Sequence, residues 1–329
     1  MIQQEILNLS IPSTIFKKEP NLDIVIVNWN SAHQLRDCLK SIEQAGIRQF
    51  VLSSVVIVDN GSTDDSMANL PVSLPIVTIA NKSNRGFGAA CNQGAAAGSG
   101  NYILLLNPDT RLYPDSLNKV MSLLSTEGAA SFGICGIQLV DRSGQVARSC
   151  SRFPSAARFV LQSTGLDRLI PKAGLFMTEW DHSDTRSVDH VIGAFLIIRR
   201  SLFTSLGGFD ERFFVYFEDL DLSYRAKGLG WSTLYFSGAT AFHAGGGTSD
   251  QVKASRLFYS LRSRIQYAFK HFSVIGASCV LLSVISAELL ARCSLALIRG
   301  SISSFFETLS AYRMLVQWLP RWLLSGKLR

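Results

Sequence analysis

The sequence predicts an α/β fold with a mostly parallel sheet flanked by helices, followed by an apolar, basic helical tail. Short runs rich in Val and Ile alternate with segments of helical periodicity through residue 125. Residues 251–329 carry a net charge of +9, whereas the first 250 residues carry −2. A near-neutral globule joined to a basic, apolar tail indicates a membrane surface as partner and does not indicate nucleic acid.

The first half of the chain supplies the parallel strands. Residues 22–28 (LDIVIVN) are a continuous apolar run, typical of a strand buried on both faces. Residues 31–45 follow with helical spacing, and a second helix is predicted to open at residues 63–65 with Ser62 or Thr63 as its N-cap. Three more strands and an Ala-rich helix are predicted at SSVVIVDNGS, LPIVTIA, NYILLLNPDT and NRGFGAACNQGAAAG.

Polar residues end these strands, and ligands of such sheets bind at the carboxyl ends of the strands. We therefore expect Asp59, Asn60 and Asp109 to lie at one site. In residues 130–200, GICGIQLVD and DHVIGAFLIIRR read as strands that extend the sheet and build the second half of the site. FEDLDLSYRAKG reads as a helix ended by Gly228, and WSTLYFSGATAFHAGG as strand running into a glycine loop.

Residues 193–225 hold an unusual group of acids among aromatic and aliphatic residues. Acids rarely have such apolar neighbours unless they are paired, bind metal or transfer protons. With Asp109 after an apolar run and His243 beside Gly245–Gly247, they indicate a metal carboxylate, a base and an anion-binding loop. The candidate acids are Asp210, Glu218, Asp219 and Asp221, of which Asp221 is expected to pair with Arg225.

The tail contains a candidate membrane segment at residues 274–298. Glu288 and Arg292 interrupt its apolar run and are spaced to pair with each other. The segment either spans the bilayer or lies as an interfacial, partly buried helix, and the second is favoured. Residues 301–324 form a second apolar face that suits the headgroup boundary, with an ordinary helical pair on the globule as the alternative.

The chain divides into three predicted parts. Residues 1–21 form an N-terminal leader without the features of a secretory signal, residues 22–250 a catalytic domain, and residues 251–329 the membrane-associating tail. The six cysteines show no CxxC and no tight spacing, which argues against a zinc site or a disulfide framework and favours a reducing setting.

Six motifs together resemble family 2 glycosyltransferases of the GT-A fold, which is Rossmann-like, in their rhamnosyltransferase-like branch. They occur in order over about residues 22–250 and read DIVIVNWNS, VVIVDNGSTDDS, NRGFGAACNQG, LLLNPDT, GGFDERFFVYFEDLDLSYR and AFHAGGGTS. The resemblance implies an inverting transfer from a nucleotide-diphospho sugar, with a divalent cation, Mg²⁺ or Mn²⁺, at the diphosphate.

The resemblance also implies roles for individual residues. Asp109 and His243 would bind the metal, and Asn107 stands where the family's DxD motif has its first Asp. Asp59 matches the residue that binds the nucleobase, although a strand-ending Asp that caps the next helix is an alternative, and a structural role is equally open for Asn28. The donor-binding set is Asn28, Asp59, Arg85, Asn107 and Asp109.

Asp219 matches the family's catalytic base, which takes the proton of the acceptor hydroxyl. Glu218 is the alternative base or an acceptor ligand, since neighbouring residues of a helix face different ways. Asp210 either fixes its turn or contacts the acceptor sugar.

The expected reaction transfers L-rhamnose from dTDP-rhamnose to a polyprenyl-linked or growing surface polysaccharide. It would take place at the cytoplasmic face of the bacterial membrane, where the protein is peripheral or monotopic. UDP-galactofuranose, UDP-glucose or UDP-N-acetylglucosamine as donor, or a non-catalytic saccharide-binding subunit, are the alternatives. The oligomeric state is left open.

Overall fold

The computed structural model of the chain describes residues 19–71, 73–245 and 252–325. Most of the predicted leader lies outside these residues. The strands are β1 Asn21–Asn28, β2 Val51–Asp59, β3 Ile76–Ala80, β4 Tyr102–Leu106, β5 Thr110–Leu112, β6 Phe132–Val140, β7 Val146–Ala147, β8 Cys150–Ser151, β9 Arg186–Val188, β10 His190–Val191, β11 Phe195–Arg199 and β12 Ser232–His243. The helices are α1 Gln34–Gln44, α2 Phe87–Ala96, α3 Ser116–Leu124, α4 Ala156–Thr164, α5 Arg200–Ser205, α6 Glu218–Gly228, α7 Lys253–His271, α8 Val274–Ser283, α9 Leu289–Ile298 and α10 Ile302–Leu324.

The main sheet has the strand order β3-β2-β1-β4-β11-β6-β12-β5. Strands β3, β2, β1 and β4 are parallel, as predicted from the alternation of strands and helices. Beyond β4 the sheet is mixed, because β11 runs antiparallel to both β4 and β6 while β12 runs parallel to β6. The predicted α/β fold is confirmed, and residues 130–200 extend the sheet as expected.

Both faces of the sheet are covered, which explains the continuous apolar run of β1. Ile24 and Ile26 belong to one buried cluster with residues of α1 and α3. Val25 and Val27 point to the other face and share a cluster with residues of α2 and α6. Because successive side chains of a strand alternate between faces, a strand buried on both sides shows no polar alternation.

The helix predicted to open at residues 63–65 is wrong, since residues 61–70 form turns. The carboxylate of Asp64 explains the difference. Its Oδ1 accepts the Ser66 N–H at 3.2 Å, and its Oδ2 accepts the Ala32 N–H at 2.8 Å. These bonds hold a turn against the segment after β1 and do not cap a helix.

The predicted tail is helical, and its first helix packs against residues of the preceding part of the chain. Leu261 and Ile265 of α7 share a buried cluster with Phe213 and Leu220, which lie before and within α6. Helix α7 therefore supports the segment that carries Asp219.

Helices α8 and α9 continue into each other through a π-helical turn at Val284–Glu288. Among the described residues, Val274–Ile298 is the one helix that is long and apolar enough to cross a membrane. Its mean hydropathy is 2.1, and 28% of its apolar 18-residue stretch is buried. The predicted pair of Glu288 with Arg292 is confirmed at 2.8 Å. Glu288 also pairs with Arg264 of α7 at 2.6 Å, and both side chains are only 4% exposed.

Candidate active site

A network of neutral side chains joins the carboxyl ends of β1 and β2. Asn28 is fully buried, and its amide N–H groups donate to Asp59 at 2.9 Å and to Ser66 at 2.8 Å. Its amide oxygen accepts a bond from Ser31. The other carboxylate oxygen of Asp59 accepts a longer bond of 3.4 Å from the Ser62 N–H. Asn28 thus orients Asp59, which is half-buried at the end of β2.

Asn60 ties the loop before α2 to this edge of the sheet, a role that the sequence analysis did not assign. Its amide donates to Asn84 at 2.9 Å, and its oxygen accepts the Arg85 N–H at 3.0 Å. Gly86 follows with φ of +91°, and a Cβ there would lie 2.4 Å from the Phe214 carbonyl oxygen. The loop backbone is therefore fixed, and the exposed side chain of Arg85 extends from it.

The structure brings Asp109 and His243 together, as the sequence predicted. Asp109 lies in the turn between β4 and β5, and His243 ends β12, which pairs with β5. Asp109 Oδ1 and His243 Nε2 are 3.4 Å apart, and both side chains are mostly buried. A bond of 3.1 Å from the Ala244 N–H to the Asp109 carbonyl holds the two segments in register.

This pair fits a divalent cation whose other coordination positions are filled by oxygens of a bound molecule and of water. A carboxylate oxygen suits Mg²⁺ and Mn²⁺, and such cations usually take further oxygens from phosphates and water. Within residues 19–71, 73–245 and 252–325, no group of three or more His, Cys, Asp or Glu could hold a metal ion. Gly245 has φ of +61°, and Gly246 and Gly247 of the predicted loop lie outside the described residues.

Asp219 lies in the first turn of α6, after a strained stretch of backbone. Tyr216 and Phe217 both have φ of 69°, in the left-handed region that bulky residues avoid. Such residues cost roughly 1–3 kcal/mol each and concentrate at functional sites. The strain sets where α6 begins, and thereby where Asp219 projects.

Two backbone N–H groups orient the Asp219 carboxylate. Gly193 donates to Oδ2 at 2.8 Å, and Leu220 donates to Oδ1 at 2.8 Å. The side chain remains 19% exposed. A Cβ at Gly193 would lie 3.3 Å from Oδ2, so a glycine suits this close approach. The carboxylate is thus fixed in orientation and still reachable.

His190 is a further group at this site that the sequence analysis missed. Its Nε2 is 3.7 Å from Asp219 Oδ2, and its Nδ1 is 3.1 Å from Ser223 Oγ, one turn along α6. Burial lowers the pKa of His190, although the charge of Asp219 opposes this shift. A neutral imidazole therefore lies against the carboxylate. No local pattern pointed to His190, because DHVIGAFLIIRR reads as strand throughout.

Glu218 is buried, whereas its neighbour Asp219 is partly exposed. The Oε2 of Glu218 has no hydrogen-bond partner within the described residues. Burial raises the pKa of Glu218 well above its usual range, and the charge of Asp219 adds to the shift. Glu218 is therefore less accessible than Asp219, and this difference favours Asp219 as the base. An acceptor-binding role for Glu218 stays a prediction.

Asp210 and Asp221 belong to a buried ion network that joins α6 to α7. Lys270 Nζ lies 2.6 Å from Asp210 and 2.5 Å from Asp221. Asp221 also pairs with Arg225 at 2.7 Å, as predicted. Burial alone would raise the pKa of Asp210, yet hydrogen bonds from Arg212 and Lys270 hold it well below its usual range. Asp210 fixes its turn in this way, and contact with an acceptor sugar stays a prediction.

Comparison with known proteins agrees with this geometry. The sequence profile described as Glycosyl transferase family 2 matches residues 23–207. An N-acetylglucosaminyl-diphospho-decaprenol L-rhamnosyltransferase of Mycobacterium tuberculosis is 30% identical over 251 residues, which cover 72% of this chain and 80% of the relative. Rhamnosyltransferase WbbL of Escherichia coli is 32% identical over 145 residues, which cover 44% of this chain and 51% of the relative.

The structural comparison confirms the GT-A fold. Mannosyltransferase PcManGT from Pyrobaculum calidifontis, solved with GDP-Man and Mn²⁺, matches with a TM-score of 0.53 at 16% identity. The match covers 95% of this chain and 85% of that protein. With its sequence match over more than half of its length, the chain belongs to glycosyl transferase family 2.

Proposed function

We propose that the chain is a metal-dependent, inverting glycosyltransferase that moves L-rhamnose from dTDP-rhamnose to a lipid-linked saccharide. One observation carries the proposal. Two consecutive residues connect the base to the metal pair: the Gly193 N–H donates to Asp219, and the Ala194 carbonyl accepts the Asn107 N–H at 3.0 Å. Asn107 begins the turn that holds Asp109. A base and a metal carboxylate are thus fixed around one short segment.

The chemistry follows from this arrangement. The acceptor hydroxyl oxygen attacks the anomeric carbon, Asp219 takes its proton, and the bond between that carbon and the diphosphate oxygen breaks. The bonding electrons leave with the nucleoside diphosphate. A divalent cation on Asp109 and His243 would neutralise charge on that leaving group. General-base catalysis of this kind contributes about 10²–10⁴-fold.

The donor assignment rests on relatives and on the cleft. The relatives from M. tuberculosis and E. coli are both named as rhamnosyltransferases. Asp59 and Arg85 lie at the edge of the sheet where a nucleotide would bind, Asp59 toward the base and Arg85 toward a phosphate. A UDP-sugar with galactofuranose, glucose or N-acetylglucosamine is the alternative donor for the same fold and mechanism.

The acceptor assignment rests on the tail and on the relative that acts on a decaprenol-linked substrate. An anchored enzyme would meet such a substrate at the cytoplasmic membrane face at high effective concentration. The helix Val274–Ile298 would lie along the interface and not across it, because Glu288 is held by the buried Arg264. Withdrawing the helix to span a bilayer would leave a buried charge without its partner, a strongly unfavourable change.

The test is nucleoside diphosphate release from a panel of dTDP- and UDP-sugars, with a membrane-lipid extract as acceptor, in Mg²⁺, Mn²⁺ or EDTA. We expect release from dTDP-rhamnose that needs the cation and is lost in Asp219→Asn. Glu127→Gln, which also changes an acid to an amide but lies before β6 at the opposite end of the sheet, is the matched control. Full activity in Asp219→Asn would show that Asp219 is not the base. Release from a UDP-sugar alone would overturn the rhamnose assignment, and no release from any donor in the presence of the lipid extract would support the non-catalytic alternative.

A further inference from the structure

The segment between α4 and β9 exposes large apolar side chains at residues 165–173. Leu169 is 77% exposed and Ile170 57%, and Leu166 beside them is also exposed. Two exposed cations, Arg168 and Lys172, alternate with these residues. We call residues 165–173 the apolar loop. Adjacent apolar side chains left in water usually mark an interaction surface.

The apolar loop begins beside the helix Val274–Ile298. Ser163, in the last turn of α4, is within 3.2 Å of the Glu288 carboxylate and within 3.3 Å of the Ser283 hydroxyl. Leu166 follows Ser163 by three residues, which is less than one helical turn. The apolar loop therefore leaves the globule next to the point where this helix is held by its buried ion pair.

The tail presents its own apolar face to solvent. Exposed cations are interspersed along it at Arg299, Arg313 and Arg321. Cations beside an apolar face are the pattern of helices that lie in the headgroup region of an anionic membrane. The exposed apolar residues of the tail include Ile275, Leu282, Ile285, Leu290, Leu297, Ile298, Ile302, Phe306 and Val316.

We propose that the apolar loop and the exposed face of the C-terminal helices form one surface that binds an anionic phospholipid bilayer. Leu166, Leu169 and Ile170 insert among the lipids, and Arg168 and Lys172 meet the headgroup phosphates. The proposal deepens the proposed function, on whose membrane-bound acceptor it rests. It assigns part of the membrane contact to a segment of residues 22–250, which ends 78 residues before the tail begins.

Charge favours a lipid surface over a protein partner. The apolar loop carries two exposed cations against one acid, the half-buried Asp167. In the tail, Arg264 and Lys270 are used in ion pairs with acids of the protein, whereas Arg299, Arg313 and Arg321 are exposed beside its apolar residues. Each Lys or Arg near an anionic membrane adds to binding, and salt weakens that contribution. An apolar surface with this charge is attracted over its whole extent by anionic headgroups.

The experiment is flotation of the full chain with vesicles of phosphatidylglycerol and phosphatidylethanolamine. The double variant Leu169→Ser with Ile170→Ser should lower the partition coefficient about ten- to a hundredfold, since two apolar side chains leave the lipid. The matched control, Leu229→Ser with Val77→Ser, removes two exposed apolar side chains at the end of α6 and on β3, and should bind like the parent. Thermal unfolding confirms that each variant is folded.

A second variant tests the charge. Arg168→Gln with Lys172→Gln should lower binding several-fold at low salt, and the difference should vanish at high salt or on vesicles of neutral lipid. Unchanged partition in both loop variants, or an equal loss in the control, would overturn the proposal. A change in self-association on size-exclusion chromatography with unchanged lipid binding would instead assign the surface to a second copy of the chain.

Flotation needs no turnover, so its result is independent of the proposed reaction. Nucleoside diphosphate release with the acceptor dispersed in detergent should be equal in the loop variants and the parent. If no donor is used but flotation gives the expected result, the proposed function is contradicted and the membrane surface is supported. If a donor is used but the loop variants float like the parent, the membrane surface is contradicted and the proposed function is supported.

Discussion

The two halves of the active site are built by different physical means. The proposed nucleotide half, at the ends of β1 and β2, is fixed by hydrogen bonds of amide side chains such as Asn28 and Asn60. The base half, around Asp219, depends on left-handed backbone at Tyr216 and Phe217, a buried His190 and an ion network from α7. The nucleotide half is local to the sheet edge, whereas the base half is held by elements distant in sequence.

This difference predicts where the protein is vulnerable. A substitution within the nucleotide half removes one hydrogen bond among several. A typical hydrogen bond contributes about 0.5–1.5 kcal/mol to the free energy of unfolding. A loss within the base half leaves a buried charge without its partner, which costs several times more. Stability and catalysis should therefore be coupled in the base half and separable in the nucleotide half.

The largest effect is expected for Asp221→Asn. Asp221 is fully buried and faces Arg225, Lys270 and His271, so its loss leaves Arg225 and His271 without their carboxylate and Lys270 with Asp210 alone. We expect a loss of about 3–5 kcal/mol in the free energy of unfolding, measured by urea denaturation. The control is Asp115→Asn, which breaks an exposed pair with Arg48 and should cost at most about 1 kcal/mol. Equal losses in the two variants would show that the ion network of Asp221 does not stabilise the base half more than an exposed ion pair does.

The pH dependence of Asp221 offers a check on the same network. Burial alone would raise its pKa, but the hydrogen bond from His271 and the charges of Arg225 and Lys270 lower it. Its contribution is therefore present above the unfolded pKa of about 3.9 and lost as pH falls through the lower folded value. The parent should lose stability below about pH 4 more steeply than Asp221→Asn.

Asp109→Asn should affect activity and not stability. The change keeps the shape of the side chain and removes one charge from the pair with His243. We expect a fall of about 10²-fold in kcat/KM, with part of the loss recovered at higher Mn²⁺, in a titration of activity against cation. Asp141→Asn, in the exposed turn after β6, is the control. A loss that no cation concentration reduces would argue against metal binding at Asp109.

The sequence predicted the nucleotide half better than the base half, and the reason is physical. Asp59 ends one predicted strand and Asp109 closely follows another. The apolar runs of the sequence therefore locate both residues at the carboxyl edge of the sheet. The contacts of His190 and of α7 with α6 depend on tertiary packing between segments far apart in the chain. The failed helix at residues 63–65 shows the same limit, because Asp64 bonds to Ala32, which no local pattern reveals.

His190 tests whether the base half needs its buried support. His190→Ala should lower kcat about ten- to a hundredfold with little change in KM for the donor, since a misoriented Asp219 slows proton transfer and not binding. His190→Gln keeps an N–H donor and should restore part of the rate. Ser163→Ala, which removes a hydroxyl beside Glu288 of the tail, is the control for loss of a buried polar group. A loss in KM alone would contradict a positioning role.

Glu218→Gln separates the two neighbouring acids by pH. Because the folded pKa of Glu218 is raised, the group stays protonated in the fold and ionises at about pH 4.3 when unfolded. The parent should then lose stability as pH rises between these two values, by at most about 1.4 kcal/mol per pH unit. Glu218→Gln removes this loss, so its advantage over the parent in urea denaturation should grow as pH rises above the unfolded pKa of about 4.3. Glu127→Gln should show no such trend. If Glu218→Gln were inactive and its stability changed with pH as that of the parent does, Glu218 would instead be an ionised group of the site. The assignment of different roles to Glu218 and Asp219 would then be wrong.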